Sequence, residues 1–300
     1  MDPIIIDVVM PTVIKDMDTL LMAINGCLNH VIGLRNIYIV CRKETCTELY
    51  NKMSTESSDG AVKFIDGTVK FIDENIFPFT LDDVAKLHTK NNRNGWYYQQ
   101  LLKLYAYKVI DGISDNILIV DSDTVFLKNI NFIENNVALY GIGNEYNIPY
   151  FTHMNKLHPS LCKLYPENLE LSGICHHMLF QKYVLDELFE LVEKYHECSF
   201  WEAFLKCVNK RTYLGSGASE YEIYFNYVLS RHSDRAKIRE LNWCDICVLP
   251  TAEHSCYDYV SSHAYLRRPT TSSSNAMSFN LQHSIFRKHV HPTNKPPKNM

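Results

Sequence analysis

The chain has 300 residues, of which 46% are hydrophobic and 21% are charged, an ordinary composition for a globular protein with ample core. Its formal net charge of −4 at pH 7 argues against nucleic-acid binding and against attraction to an anionic membrane. The amino-terminal apolar run lacks a basic leader and is interrupted by Asp7 and Pro11, so neither a signal peptide nor a membrane span is predicted. We therefore expect a soluble cytoplasmic protein, with no nucleic-acid partner.

The first residues alternate between strand and helix patterns. Residues 4–10 and 36–40 are predicted strands, and residues 18–30 carry helical periodicity between them. This spacing is typical of a βαβ unit and predicts a parallel sheet. A short duplication follows over residues 62–73, with Asp66 and Gly67 at a predicted hairpin turn.

Further helices and strands are predicted up to about residue 263. Helices are predicted over residues 96–109, 181–196, 200–208 and 219–231, and strands over residues 117–120, 138–142, 171–180, 246–249 and 257–263. The aromatic stretch 144–166 shows no clear period and is interpreted as a loop on the acceptor side of a cleft. Residues 270–275 and 291–300 have the composition of a flexible loop and a disordered tail.

We therefore predict one α/β domain over residues 1–268, with an elaborated second half. Residues 1–130 form its nucleotide-binding half, residues 131–268 its acceptor half, and residues 269–300 a carboxyl-terminal extension. No oligomeric state is predicted.

The chain is organised around an uncharged run at residues 117–120 that ends in two carboxylates, Asp121 and Asp123. The run has the length and β-branched content of a buried strand, and ligands of open α/β sheets bind beyond the carboxyl ends of strands. Residues two apart along a strand point the same way, so both carboxylates can face one point. Such a pair suits a hard divalent cation that holds phosphate oxygens. Asp123 is the expected direct ligand, and Asp121 binds the metal through water or contacts a ribose hydroxyl.

A metal on two carboxylates often takes a third protein ligand, and His263 at the end of a later strand is our candidate for Mn²⁺ or Mg²⁺. His254 and His283 are weaker candidates. Cys244, Cys247 and Cys256 lie near His254 in the sequence, and four such side chains could bind zinc. However, a zinc site usually needs a second paired motif besides Cys244 and Cys247, so buried thiols are favoured. Free thiols are expected generally, because the predicted compartment is reducing.

Other residues fit a nucleotide-diphosphate site. Lys103 and Arg267 are candidates for binding the phosphates, although a solvated charge is the simpler reading of each. Thr12, at the end of the first strand, either contacts the base or ribose or is a simple turn residue.

The segment 219–222 supplies two further carboxylates. Ser219 and Glu222 have the spacing of a capping box, which gives Glu222 a structural role at a helix start and makes it the weaker of two catalytic candidates. Glu220 is not explained in this way, and it is our candidate for the general base that deprotonates an acceptor hydroxyl.

His176 and His177 are adjacent on a predicted strand, so their side chains point to opposite faces and at most one of them can face the site. The residues themselves do not decide which one it is. We assign His177 to cofactor binding.

Six segments, taken together and in order, resemble a GT-A glycosyltransferase, and in particular a little-characterised set of GT-A-like proteins described as domains of unknown function. They are residues 10–12 (MPT), 95–103 (GWYYQQLLK), 120–126 (VDSDTVF), 172–180 (SGICHHMLF), 219–224 (SEYEIY) and 259–263 (YVSSH). The resemblance covers about residues 1–268.

The resemblance implies a Rossmann-like α/β fold with a mixed, mostly parallel sheet flanked by helices. It also implies a nucleotide-sugar donor (often UDP-linked), a glycan or other hydroxyl acceptor, and Mn²⁺ or Mg²⁺ on the Asp-x-Asp motif. Many members have a third metal ligand near the carboxyl end, so the implied set is Asp121, Asp123 and His263. An inverting enzyme needs a base, for which Glu220 is the candidate; in a retaining enzyme Glu220 would position other groups.

Two rival functions remain. Asp121 and Asp123 also resemble the first motif of haloacid-dehalogenase-type phosphatases, in which they would be nucleophile and general acid around Mg²⁺. The later acidic motif of those enzymes is not found, since Asp186 lies within a predicted helix and Asp245 is flanked by cysteines. The other rival is a GT-A protein that binds nucleotides without catalysis, against which the intact carboxylate pair argues.

Overall fold

A computed structural model describes residues 3–55, 67–164, 168 and 171–267, with the side chains of residues 52–55 left out. Most of the first copy of the predicted duplication (62–66) and the whole carboxyl-terminal extension (269–300) lie outside these residues. The predicted hairpin turn at Asp66 and Gly67 does so in part.

The central sheet has five strands in the order β3-β2-β1-β4-β8. They are β1 (Ile6–Pro11), β2 (Leu34–Cys41), β3 (Val69–Asp73), β4 (Asn116–Val120) and β8 (His177–Gln181). The first four are parallel and β8 is antiparallel to β4, which confirms the predicted mixed, mostly parallel sheet. All six residues of β1 are buried, as expected for a strand that is covered on both faces.

Eight α-helices surround this sheet in the described part of the chain. They are α1 (Met17–His30), α2 (Lys43–Thr55), α3 (Leu81–His88), α4 (Asn94–Val109), α5 (Ile148–Leu157), α6 (Lys182–His196), α7 (Phe200–Cys207) and α8 (Glu220–Arg231). Helix α5 lies in the loop-rich stretch that showed no clear period, and α2 and α3 were not predicted. Among the described residues no helix is long and apolar enough to cross a membrane.

Two small sheets complete the second half. One has the order β10-β11-β5, with β5 (Thr124–Phe126), β10 (Trp243–Asp245) and β11 (Tyr259–Ser261); the other has the order β6-β7-β9, with β6 (Ile133–Glu134), β7 (Val137–Tyr140) and β9 (Ala236–Ile238). Strand β11 is central in its sheet, and the predicted strand at residues 246–249 is replaced by β10 a few residues earlier. In the first sheet β11 pairs with β5, which begins just after Asp123, and β10 pairs with the other edge of β11.

A close approach between α1 and β5 requires a glycine. A methyl group on Gly26 would lie 2.8 Å from the backbone nitrogen of Phe126 and 2.9 Å from its carbonyl oxygen, distances that side chains essentially never adopt. Strand β5 is therefore held against α1 directly, and with it the turn that carries Asp121 and Asp123.

We expect Gly26→Ala to lower the free energy of unfolding by about 1–3 kcal/mol, because the methyl group must displace strand backbone. Gly95→Ala is the control: Gly95 lies in the first turn of α4 with nothing within 4 Å of the added methyl group, so its stability should be unchanged or slightly raised. Urea unfolding followed by circular dichroism measures both. Equal stabilities for the two variants would contradict this account of the α1–β5 contact.

Candidate active site

The two carboxylates of the central motif lie in a tight turn that joins β4 to β5. The amide of Thr124 donates to the carbonyl of Asp121 at 2.9 Å, which closes the turn. The amide of Asp121 donates to the carbonyl of His176 at 3.0 Å, and the amide of Ser262 donates to the carbonyl of Asp123 at 2.9 Å. These bonds tie the turn to the segment before β8 and to the segment after β11. The predicted juxtaposition of the two carboxylates thus depends on a turn and its partners rather than on the alternation of a strand.

A buried lysine fixes the first carboxylate. The Nζ atom of Lys103, in the middle of α4, lies 2.5 Å from Oδ1 of Asp121 and 2.6 Å from Oε1 of Glu220, which begins α8. The hydroxyl of Tyr221 donates to Oδ1 of Asp121 at 3.0 Å. One ammonium group therefore connects two helices to the β4–β5 turn.

The charges in this network control each other's ionisation. Burial would lower the pKa of Lys103, but Asp121 and Glu220 raise it above its usual value. Burial would raise the pKa of Asp121, but Lys103 and His176 hold it well below its usual range. Burial and the nearby Asp121 raise the pKa of Glu220, against the opposing effect of Lys103. Asp121 is thus a carboxylate at neutral pH and Lys103 is an ammonium group.

The second carboxylate belongs to a cluster with two histidines. Nδ1 of His263 lies 2.9 Å from Oδ2 of Asp123, and its Nε2 lies 3.3 Å from Oδ1 of Asp245. Nε2 of His176 also lies 3.3 Å from Oδ1 of Asp245, and its Nδ1 lies 3.6 Å from Oδ2 of Asp121. The two imidazole rings are 4.5 Å apart between centroids. Three carboxylates and two imidazoles therefore converge beyond the carboxyl end of β4.

The imidazoles and carboxylates also perturb each other. Burial would lower the pKa of His263, but Asp123 and Asp245 raise it to about 10. The pKa of His176 is also raised: burial opposes the shift, and Asp121 and Asp245 cause it. Burial would raise the pKa of Asp245, but the two imidazoles hold it below its usual range. The cluster is therefore strongly attractive to positive charge.

Among the described residues, one group brings three metal-ligating atoms within 4.8 Å of one another, and it consists of His176, Asp245 and His263. Carboxylate oxygens and imidazole nitrogens are donors that suit Mn²⁺ and its neighbours in the first transition row. The residues present therefore fit a divalent cation at this edge of the sheet.

Charged groups of both signs lie at the rim of the cluster. Asp16, at the start of α1, has a raised pKa, because burial and the nearby Asp123 both favour its neutral form, while Lys15 and Arg267 oppose the shift. Nη2 of Arg267 lies 3.8 Å from Oδ1 of Asp16. Thr12 follows directly after β1 and is buried, with its hydroxyl 3.5 Å from the carbonyl oxygen of Val13.

The other catalytic candidate, Glu222, has a different environment. Its carboxylate accepts from the hydroxyl of Ser172 at 2.6 Å and from the amide group of Asn226 at 2.8 Å. Its backbone amide donates to Ser219, which is one half of the predicted capping box. Glu222 is fully buried and holds the segment before β8 against α8, which is a structural role.

His177 points into an aromatic core and lies away from the cluster. Its ring packs against Tyr259, Phe126 and Phe132 at centroid distances of 4.7, 5.3 and 5.6 Å. Burial lowers its pKa to about 3, so the ring is neutral. We therefore leave His177 out of the candidate site, and the neighbouring His176 takes its place.

The cysteines do not assemble a zinc site in the described part of the chain. Cys247 and Cys256 are exposed free thiols, Cys244 is half-buried, and His254 contacts the start of its own short helix at Thr251. Cys41 and Cys46 form a disulfide, in contrast to the expectation of free thiols, and the other eight cysteines are free.

Sequence reasoning missed three residues of the site. Asp245 was considered only as the later acidic motif of a phosphatase and rejected in that role, yet parallel pairing of β10 with β11 brings it opposite Ser261, two residues before His263. Asp16 and Tyr221 carry no signal in the sequence, because their contacts with the site depend on how α1 and α8 pack. Asp245 has no local signal either, because the three-residue strand β10 is defined by its pairing with β11.

Comparisons with known proteins give structural similarities of low identity. No family model matches the chain, and no curated protein matches it in sequence. Among solved structures it is similar to mouse xyloside xylosyltransferase 1, with 14% identity, coverage of 89% of this chain and 99% of that one, and a TM-score of 0.44. It is also similar to the bifunctional glycosyltransferase WbbM, with 13% identity, coverage of 88% and 46%, and a TM-score of 0.44. An active-site mutant of LgtC has 9% identity, coverage of 85% and 86%, and a TM-score of 0.44. Similarity at this level identifies neither a reaction nor a substrate.

We expect Lys103→Met to lower the free energy of unfolding by about 3–5 kcal/mol, because it leaves the buried Glu220 without a counter-charge and leaves Asp121 with His176 alone. The double variant Lys103→Met/Glu220→Gln should recover part of this loss, since it removes the unpaired charge of Glu220. Urea unfolding provides the measurement.

Lys206→Met is the control, because Lys206 forms an exposed pair with Glu202 at 3.8 Å, and such pairs contribute about 0–1 kcal/mol. A loss in Lys103→Met no larger than the loss in Lys206→Met would show that the buried ammonium group does not stabilise the network.

Proposed function

We propose that the chain transfers a sugar from a nucleotide-diphosphate donor, with UDP favoured, to a hydroxyl acceptor with the help of a divalent cation. One observation carries the proposal: three carboxylates and two imidazoles converge beyond the carboxyl end of β4, next to a buried lysine. Ligands of open α/β sheets bind at this edge. A mostly parallel sheet with a cation-binding cluster there is suited to holding a diphosphate.

Mn²⁺ or Mg²⁺ is the cation that the proposed function requires, and the five side chains that surround its site are Asp121, Asp123, His176, Asp245 and His263. When bound, such a cation offsets the charge of the diphosphate and stabilises it as a leaving group. The protein would supply a fixed arrangement of donors around it.

Lys103 and Glu220 would position the side chains around the cation from the buried side of the site. Lys103 holds Asp121 in one orientation, and Glu220 holds Lys103 from the other side. The Glu220 side chain is only 5% exposed, so its contacts suit a positioning residue better than a base that meets an acceptor hydroxyl. Arg267 and Lys15 at the rim would neutralise phosphate oxygens that lie outside the cluster.

The nucleoside would lie beside the end of β1. Just after Thr12 the chain borders a cavity of about 350 Å³, lined by Ile14, Lys15, Met17, Asp18 and Glu48. This volume is at the lower end of the range for small-molecule sites. Thr12 itself is buried, which favours a role in shaping the loop over direct contact with the base.

The rival phosphatase mechanism needs a free Asp121 as nucleophile. Both of its oxygens already have partners: Oδ1 contacts Lys103 and Tyr221, and Oδ2 faces His176. This arrangement disfavours nucleophilic attack by Asp121.

The proposal is tested by thermal unfolding with nucleoside diphosphates and nucleotide sugars, with and without Mn²⁺. A donor nucleotide at 100 times its Kd should stabilise the fold by about 2.7 kcal/mol, or roughly 4–5 °C at ~1.5–2 °C per kcal/mol for a chain of this length. We expect this shift for one base only and only with Mn²⁺. Release of free sugar or nucleoside diphosphate from the same donor would then demonstrate turnover.

Asp123→Ala should keep its fold and lose most of the Mn²⁺-dependent shift, because this side chain faces the cluster and not the core. Asp234→Ala is the matched control, since Asp234 is 78% exposed and lies outside the cluster. Binding without turnover of any donor would support the non-catalytic rival. Stabilisation by Mg²⁺ with a phosphate mimic, and by no nucleotide, would favour the phosphatase.

A further inference from the structure

Each imidazole of the cluster lies between two carboxylates. The Nε2 atoms of both rings face the same oxygen, Oδ1 of Asp245, each at 3.3 Å. The Nδ1 atoms face the central motif: His263 is 2.9 Å from Asp123, and His176 is 3.6 Å from Asp121. The two histidines therefore share one inner partner and have separate outer partners.

The inner spacing is that of ligands around one ion. Two donors that each lie about 2.1 Å from a metal are separated by about 3.0–3.4 Å at octahedral or tetrahedral angles. Both separations between Asp245 and the Nε2 atoms fall in this range. One ligand atom from each of His176, Asp245 and His263 lies within 4.8 Å of the other two. Among the described residues, Asp121, Asp123 and His263 do not form a group of this kind.

The outer contacts have the form that metal-bound histidines usually show. A histidine that ligates a metal through one nitrogen almost always donates the proton of the other nitrogen to a carboxylate, a carbonyl or water. Asp123 is placed to accept from Nδ1 of His263, and Asp121 faces Nδ1 of His176.

We propose that the cation of this site is bound by Nε2 of His176, Nε2 of His263 and the carboxylate of Asp245. Asp121 and Asp123 would orient the two imidazoles from outside and would not ligate the metal themselves. This proposal rests on the proposed function only because that function uses the cation site that is specified here.

The backbone of His176 supports this assignment. His176 has φ of 64°, in the left-handed region that residues other than glycine rarely adopt. Its carbonyl accepts from the amide of Asp121, which joins this residue to the β4–β5 turn. Unusual backbone of this kind persists where the surroundings enforce it, and it often marks a functional site. Here it accompanies a ring that faces the cluster, while His177 enters the core.

The ligand set predicts which metals bind. Two imidazole nitrogens and one carboxylate suit Mn²⁺, Co²⁺ and Zn²⁺, whereas Mg²⁺ prefers oxygen ligands and retains several waters. The side chain of Asp245 is 41% exposed, against 13% and 11% for His176 and His263, so the remaining coordination positions would open toward solvent on its side.

The first test counts nitrogens on Mn²⁺ bound to the wild-type protein, without nucleotide, by pulsed electron paramagnetic resonance. We expect two coupled imidazole nitrogens in the wild type, and one in each of His176→Asn and His263→Gln. Asparagine is chosen at position 176 because it tolerates a positive φ. One nitrogen in the wild type, or no bound Mn²⁺, would overturn the proposal whether or not the variants fold.

The second test measures Mn²⁺ and Mg²⁺ affinity by titration calorimetry. Asp123→Asn should weaken Mn²⁺ binding by about 10–100-fold, the usual effect of losing an outer partner, and should keep both nitrogen couplings. His176→Asn and Asp245→Asn should weaken it further. His232→Asn is the matched control, because His232 pairs with Glu187 at 2.9 Å outside the cluster.

Wild-type Mn²⁺ affinity in His176→Asn, or tighter binding of Mg²⁺ than of Mn²⁺, would contradict the assignment. Because both tests use the metal alone, they separate this proposal from the proposed function. Two bound nitrogens with no turnover of any nucleotide sugar would remove the function and leave the site. Turnover of a nucleotide sugar with a single bound nitrogen would support the function and contradict the proposed metal site.

Discussion

The buried ammonium group of Lys103 is the contact on which the arrangement of the site depends. An ammonium group in a dry interior is strongly unfavourable unless carboxylates surround it, and Asp121 and Glu220 do so at 2.5 and 2.6 Å. Because these carboxylates belong to the β4–β5 turn and to α8, the same ion pairs join both elements to α4. The orientation of Asp121 is then fixed before any ligand binds.

The elements nearest this network were the easiest to predict. The alternation of β1, α1 and β2 follows from hydrophobic period alone, and α4 and β4 were predicted to within two residues of their observed bounds. These segments bury one continuous face, so local pattern and tertiary packing agree. Five predicted candidates belong to the network of ion pairs around the site: Lys103, Asp121, Asp123, Glu220 and His263. Each of them lies at the end of a helix or strand or on its buried face.

The elements that were not predicted are marked by helix-terminal residues or by strand pairing and not by a hydrophobic period. Helix α3 begins with a capping box of Thr80 and Asp83, a local pattern that could have been recognised. Helix α5 lies in a stretch with no clear hydrophobic period and carries Pro149 in its first turn, where proline is tolerated. Strand β10 has three residues and is defined by its pairing with β11, which no local pattern reveals.

The choice between His176 and His177 shows where the sequence argument ends. Strand alternation correctly separates the two side chains, but the side that faces the site depends on the left-handed backbone at His176 and on the aromatic packing around His177. Both features arise from contacts with segments that are distant in sequence. The same is true of Asp245, whose importance comes from β10 lying beside β11.

The carboxylates of the cluster can be balanced by a protonated imidazole or by a bound metal ion. The carboxylates of Asp123 and Asp245 that raise the pKa of His263 to about 10 would also attract a divalent cation. A metal ligand must be unprotonated, so a cation that binds at His263 has to displace a proton from it. The carboxylates are then balanced by protonated imidazole in one state and by metal in the other. A cation at this point would balance the carboxylates and leave the more exposed Asp245 side open to a phosphate.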